Sequence, residues 1–153
     1  MYIFVKNSKY AYMITTDHFH PMLVHFPIAL VTVGFLADLI SLIVKKEICF
    51  TKMSFFLLLL GTLAAMAAVF TGEFFTSEMA GAAGNVRESH ALLAFTTLGL
   101  LVVTSVFRIV LLRKPENAPL KWAAFVLYAV SVVCVSVTGA LGGTLVYNFM
   151  MPL

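Results

Sequence analysis

The chain has 153 residues, of which 61% are hydrophobic and 11% are charged, and its formal net charge is +3. Soluble domains carry about 45–50% apolar and about 25% charged residues. Because so few ionic groups cannot cover a water-facing surface, the composition excludes a cytosolic enzyme, a nucleic-acid-binding domain and a disulfide scaffold. Cys49 and Cys134 form no CxxC or CxxCH pattern, so neither a sulfur-ligated cluster nor a covalently attached haem is indicated.

Four apolar runs, each bounded by turn or charge signals, predict membrane-spanning helices over residues 21–44, 53–71, 90–112 and 120–145. Each is long enough to cross a hydrocarbon layer about 30 Å thick. Pro21 suits a first helical turn, and Pro27 is expected to bend or loosen the start of the first helix. The predicted fold is an all-α, integral-membrane four-helix bundle over residues 21–149, preceded by an outer interfacial segment over residues 1–20.

The distribution of Lys and Arg predicts the orientation of this bundle. Seven of the ten flank the two short loops after the first and third helices, which places those loops in the cytoplasm and both termini outside. The other three are Lys6, Lys9 and Arg87. The first 20 residues lack an apolar stretch of signal-peptide length, so no cleaved signal is expected, and the native start is compatible with Met1 or Met13.

The two halves of the sequence resemble each other. Residues 25–44 align with residues 90–109 at an offset of 65, with the identical pairs His25/His90, Ala29/Ala94, Thr32/Thr97, Gly34/Gly99 and Leu36/Leu101. The second and fourth helices align at an offset of 67, which matches Thr71-Gly72 with Thr138-Gly139. We therefore expect two repeated helical hairpins in the same orientation. The histidines and the Thr-Gly pairs then gather at the outer end of the bundle.

A haem site is the first functional hypothesis. In an up-down-up-down bundle the first and third helices lie diagonally across the core, so His25 and His90 are predicted to face each other. Two imidazoles can supply both axial ligands of a b-type haem, and small neighbouring residues leave space for the flat macrocycle. The predicted cofactor-binding residues are His25, His90, Ala29, Thr32, Ala94, Thr97, Gly72 and Gly139.

Two other functions remain open. A site for a divalent transition metal, in a binding or transport protein, would use His25, His90 and His20, with His18 and Glu73 as alternatives. A non-catalytic structural subunit is the third hypothesis, because small residues at three- and four-residue spacing also serve ordinary packing of membrane helices. Enzyme catalysis is the least supported, since no Ser/His/Asp, HExxH or Gly-rich phosphate pattern is present.

Asp38 is a charged residue within the first predicted helix, and Arg108 lies at a similar depth in the third. An uncompensated Asp at the centre of a spanning helix costs about 2.5–3.5 kcal/mol on insertion scales. Arg108 is therefore its expected partner. A structural ion pair is favoured over a proton relay, because Val103, which aligns with Asp38, provides no opposing acid.

Several motifs resemble those of a bacterial family, the four-helix membrane domain of unknown function 2231. Residues 20–30 (HPMLVHFPIAL) match its opening segment, and residues 138–147 (TGALGGTLVY) match its end, with Thr71-Gly72 and His90 in between. The resemblance covers about residues 19–149. It implies a multi-pass protein of the bacterial inner membrane, and relatives joined to Rieske or cytochrome domains imply a periplasmic or membrane redox partner; a homo-oligomer is also compatible.

This chain differs from many members of that family within the final motif. Many relatives have a further histidine within the final motif, where this chain has Ala140 and Leu141. A site that used that histidine would be changed or absent here. The resemblance therefore implies a fold and a location more than an activity.

Overall fold

A computed structural model describes residues 19–44 and 48–149, and this part of the chain is helical without strands. Its helices are α1 (Phe19–Leu23), α2 (His25–Ile43), α3 (Ile48–Phe75), α4 (Gly81–Leu111) and α5 (Ala118–Asn148). Four segments are long and apolar enough to cross a membrane, namely α1 with α2 and each of the other three helices. The prediction of an all-α membrane bundle of four spans is confirmed. The orientation of the bundle stays a prediction.

The first span is interrupted at Val24, between α1 and α2. Pro27 has no N–H, so the carbonyl of Leu23, four residues earlier, lacks its usual donor within the helix. The Val24 N–H still donates to the His20 carbonyl at 3.1 Å, which closes the last turn of α1. The expected loosening of the chain before Pro27 is therefore present, and it separates His20 in α1 from His25 at the start of α2.

α4 begins earlier than the hydrophobic pattern predicts. Its first residues, 81–89, are mostly small or polar and do not extend the apolar run, yet they are helical. Gly81 has φ of +65°, a left-handed conformation that glycine adopts without strain at the turn into this helix. The helix that carries the third apolar run therefore begins before that run, and His90 lies in the third turn of α4 rather than at its start.

The spans form two hairpins, α2 with α3 and α4 with α5, and the hairpins meet through α3–α4 and α2–α5 contacts. α2 and α4 consequently lie on a diagonal of the bundle, as expected. The apolar core between them includes Val31, Leu58, Leu101 and Tyr128, all fully buried. Outward-facing apolar side chains remain exposed, and Leu92, for example, is 69% exposed. Such a surface fits contact with lipid rather than water.

Polar groups inside the bundle find partners locally. Thr104 and Ser131, both fully buried, donate to the carbonyls of Leu100 and Leu127 one turn earlier. The Thr62 and Ser105 hydroxyls are 2.9 Å apart and join α3 to α4. These bonds satisfy hydroxyls where no water is at hand, which the hydrocarbon region of a membrane requires.

One ion pair crosses the diagonal of the bundle. The carboxylate of Asp38 on α2 accepts a hydrogen bond from the guanidinium of Arg108 on α4, and Asp38 is 3% exposed. The expected pairing of these two residues is confirmed. Because each buried charge has an opposite charge beside it, the pair offsets part of the cost of taking the two charges out of water.

An aromatic cluster lies one helical turn from that ion pair. The hydroxyl of Tyr128 on α5 lies against Gly34 and takes the space that a side chain at Gly34 would need. Gly34 precedes Asp38 by four residues, so both belong to the same face of α2. The Phe35 ring lies 5.5 Å from that of Tyr128, between centroids. In the described residues, the Tyr128 hydroxyl has no hydrogen-bond partner.

Candidate functional site

We call the end of the bundle that holds His20, Thr71, His90 and Thr138 the histidine end, and the end that holds Asp38 and Arg108 the ion-pair end. A cavity of about 370 Å³ lies at the histidine end, between all four spans. This volume falls in the range of cofactor and small-molecule pockets, about 300–1,000 Å³. Small residues form much of its wall: Ala65, Ala68, Gly72, Ala94, Gly139 and Gly142.

His90 reaches the cavity from α4. Its Nδ1 lies 2.9 Å from the carbonyl oxygen of Thr138 on α5. A carbonyl oxygen can only accept, so Nδ1 carries the proton, and in the neutral ring Nε2 holds a lone pair. A Cβ atom built on Gly142 would lie 3.2 Å from the Cε1 atom of His90, so a glycine here gives the ring its space.

His20 reaches the cavity from α1 in a similar way. Its Nδ1 lies 3.2 Å from the hydroxyl oxygen of Thr71 on α3. The Thr71 hydroxyl also lies 3.0 and 3.1 Å from the carbonyl oxygens of Ala67 and Ala68, to which it can donate its single proton. In the tautomer of His20 that carries its proton on Nδ1, the hydroxyl oxygen accepts from Nδ1 and Nε2 of the neutral ring holds the lone pair. A Cβ on Gly72 would lie 2.8 Å from Cε1 of His20.

The two rings meet across the diagonal of the bundle. Their centroids are 6.2 Å apart and their planes are nearly perpendicular, at 88°. Two imidazoles bound to one metal atom through bonds of about 2 Å would have ring centres about 6 Å apart when they are on opposite sides of it. The separation of the His20 and His90 rings is therefore compatible with two ligands of one metal atom.

His25 occupies a different place from the one that the repeat predicts. It lines the cavity but is exposed, and its Nδ1 donates to the carbonyl of Pro21 at 2.7 Å. The ring is thereby held against its own chain, and the residue that lies opposite His90 is His20. The break at Val24 is the physical reason, because a short separate helix presents His20 to the cavity, whereas one continuous helix would not bring both histidines to the same face.

The remaining predicted residues divide into two groups. Gly72, Ala94, Thr97, Gly139 and Glu73 all line the cavity. Ala29 is exposed and Thr32 is half-buried, and neither lines it. His18 lies outside the described residues.

One cavity residue was not assigned to the site from the sequence. Arg87, which the sequence analysis used only for orientation, lines the cavity and is half-buried. Its position three residues before His90 on a helix was the available signal.

Across residues 19–44 and 48–149, no group of three or more His, Cys, Asp or Glu side chains is arranged to hold a metal ion.

No curated protein and no solved structure matches the chain significantly. A family model described as "Predicted membrane protein (DUF2231)" matches residues 16–151. The match covers both hairpins and every residue that lines the cavity. The family resemblance of the sequence motifs is confirmed, and the chain belongs to the DUF2231 family of predicted membrane proteins.

Proposed function

We propose that the chain is an integral-membrane electron-transfer protein that binds a b-type haem between His20 and His90. The observation that carries the proposal is the facing pair of rings: their centroids are 6.2 Å apart, Nδ1 of His90 donates to the Thr138 carbonyl, and Nδ1 of His20 lies within hydrogen-bond distance of the Thr71 hydroxyl. Haem needs only two protein ligands, because its macrocycle provides the other four nitrogens. When bound it supplies one-electron exchange at iron.

The surroundings of the rings support this choice of ligand. Histidines that bind metals usually donate their second ring N–H to a carbonyl, carboxylate or water, which holds the ring in position and increases its basicity. The Thr138 carbonyl would take that role for His90, and the Thr71 hydroxyl would take it for the tautomer of His20 that is protonated on Nδ1. Ala68 and Ala94 add short side chains to the cavity wall, which favours a flat, largely apolar ligand between the helices.

The position of the cavity limits what the protein can do alone. A haem at the histidine end lies at one end of the spans, and the apolar core around Val31, Leu58 and Leu101 separates it from the ion-pair end. The protein therefore needs a redox partner at that face. With the orientation predicted from Lys and Arg, this is the outer, periplasmic face of a bacterial inner membrane.

The test is a visible spectrum of the detergent-purified protein before and after reduction with dithionite, with haemin added where the protein is isolated without haem. We expect Soret and α bands in the wild type and their loss in His20→Ala and His90→Ala. His25→Ala is the matched control, and it should retain the bands because His25 is bonded to Pro21 and lies outside the facing pair. A wild type that stays colourless after incubation with haemin would contradict the proposal.

A divalent transition metal is the second candidate, because Glu73 lines the same cavity as His20, His25 and His90. Zinc prefers about four ligands, and histidine with carboxylate is a common set. This alternative predicts stoichiometric metal by elemental analysis and its loss in Glu73→Gln, a change that haem binding should tolerate. If the chain is instead a non-catalytic structural subunit, we expect that none of the histidine substitutions affects its function.

A further inference from the structure

The cavity has two chemically different ends. Its deep wall is apolar or small, with Ala65, Ala68 and Val135 on the core side of the histidine layer. Its outer part holds polar side chains that lie beyond Thr71, His90 and Thr138 along their helices: Glu73, Thr76, Arg87 and Tyr147. A ligand that fits this cavity must therefore be amphiphilic, with its polar edge toward the end of the bundle.

Arg87 is the cationic side chain of this outer part. It precedes His90 by three residues, which places it about one turn, or about 4.5 Å, further out along α4 on a neighbouring face. The side chain is half-buried. Among the residues that the structure describes, the only ion pair is that of Asp38 with Arg108, so Arg87 pairs with neither Glu73 nor Glu88. Its guanidinium is thus available to a ligand.

Guanidinium and carboxylate match in shape, because the planar fork of Arg donates two parallel hydrogen bonds to the two oxygens. Haem carries two propionate carboxylates on one edge, and the rest of its periphery is apolar. From the position of Arg87 we infer that this residue binds a propionate of the haem, so that the propionate edge faces outward and the apolar edge faces Ala68 and Val135. This assignment rests on the proposed haem function.

A substitution at Glu73 tests whether the ligand carries a negative charge in the outer part of the cavity. Glu73 lines the same outer part with the opposite charge, so it repels a carboxylate that Arg87 attracts. Removing the charge of Glu73 should leave haem affinity unchanged or increase it. If the cavity instead binds a divalent transition metal, Glu73→Gln should abolish the binding of that metal.

The experiment compares haem b with haem dimethyl ester, whose esterified propionates cannot accept a charge-assisted pair of hydrogen bonds. Spectral titrations in detergent give the dissociation constants of both for the wild type, Arg87→Gln, Glu73→Gln and Arg113→Gln. Arg113 lies after α4 at the ion-pair end and is the matched control. We expect Arg87→Gln to weaken haem b by roughly 10- to 100-fold, the range for a hydrogen bond between charged groups. The affinity for the dimethyl ester should not change.

Each outcome decides the inference. Equal weakening of both ligands by Arg87→Gln would mean that Arg87 supports the fold rather than the propionate, and no weakening of either would mean that it makes no contact; either result overturns the inference while the haem proposal stands. A wild type that binds neither ligand would overturn both. A preserved helical circular dichroism spectrum of each variant excludes unfolding as the cause.

Discussion

The two ends of the bundle differ in how the first and third spans meet across its diagonal. At the ion-pair end, Asp38 of α2 and Arg108 of α4 are in direct contact. At the histidine end, His20 and His90 keep their centroids 6.2 Å apart, and each is bonded to a different neighbouring helix. Opposite charges bring Asp38 and Arg108 into contact, whereas the two imidazole rings make no hydrogen bond with each other and lie beside the cavity.

The Asp38–Arg108 contact is needed for the stability of the fold, whereas the arrangement of His20 and His90 is not. Buried charges are costly unless paired, so the ion-pair end has little freedom. The histidines satisfy their Nδ1 atoms within the protein and lose little if the cavity between them changes. Substitutions at the ion-pair end should therefore reduce stability, and those at the histidine end should mainly reduce ligand binding.

The largest effect is expected for Arg108→Leu, which leaves the Asp38 carboxylate buried without its partner. The expected loss is about 3–5 kcal/mol in the free energy of unfolding. Unfolding by SDS titration of the protein in mild detergent micelles measures it. The double variant Asp38→Leu/Arg108→Leu should recover most of the stability, because no unpaired charge remains. A double variant as unstable as the single one would mean that the pair is not the reason.

Gly34→Ala should have an intermediate effect, because a Cβ at this position would overlap the Tyr128 hydroxyl. Overpacking of this kind costs about 1–3 kcal/mol, measured in the same unfolding titration. Adding Tyr128→Phe removes the overlapping atom and should restore part of the loss. Gly99→Ala is the matched control, since its Cβ meets no atom within 4 Å, and it should be neutral or slightly stabilising. Equal losses for Gly34→Ala and Gly99→Ala would rule out this contact as the cause.

The smallest change in stability is expected at the histidine end, for Gly72→Ala. The new Cβ would lie 2.8 Å from Cε1 of His20, and the ring can move aside at low cost because it is the free end of a side chain. Its displacement should weaken haem binding by about fivefold, equivalent to about 1 kcal/mol. Gly99→Ala, whose Cβ meets no atom within 4 Å and which does not line the cavity, should not change the dissociation constant.

A graded result sharpens this last prediction. Gly142→Ala places its Cβ 3.2 Å from Cε1 of His90, a milder contact than the one at Gly72. We therefore expect a smaller loss of haem affinity than for Gly72→Ala. The reverse order, or a large loss of stability in either variant, would contradict the view that the histidine rings are the movable part of this end.

Residue by residue, the sequence pattern was unevenly successful in predicting which side chains line the cavity. His90, Ala94, Gly72 and Gly139 were placed in the site and line the cavity, because helical periodicity and the repeat order residues along a continuous helix. Ala29 and Thr32 do not line it. They were inferred from the stripe beneath His25, and that inference assumed that the first span is one helix with His25 facing inward.

The sequence by itself determined the class of the protein and the identity of its buried charges. A chain with 61% hydrophobic and 11% charged residues satisfies its backbone in a membrane by forming helices, and the one Asp within a span needs an Arg at similar depth. Only the tertiary structure decided which histidine faces His90. A helix break at one residue rotates the side chains before it relative to those after it. The direction of that rotation depends on contacts with α3 through Thr71 and Gly72, which no local pattern encodes.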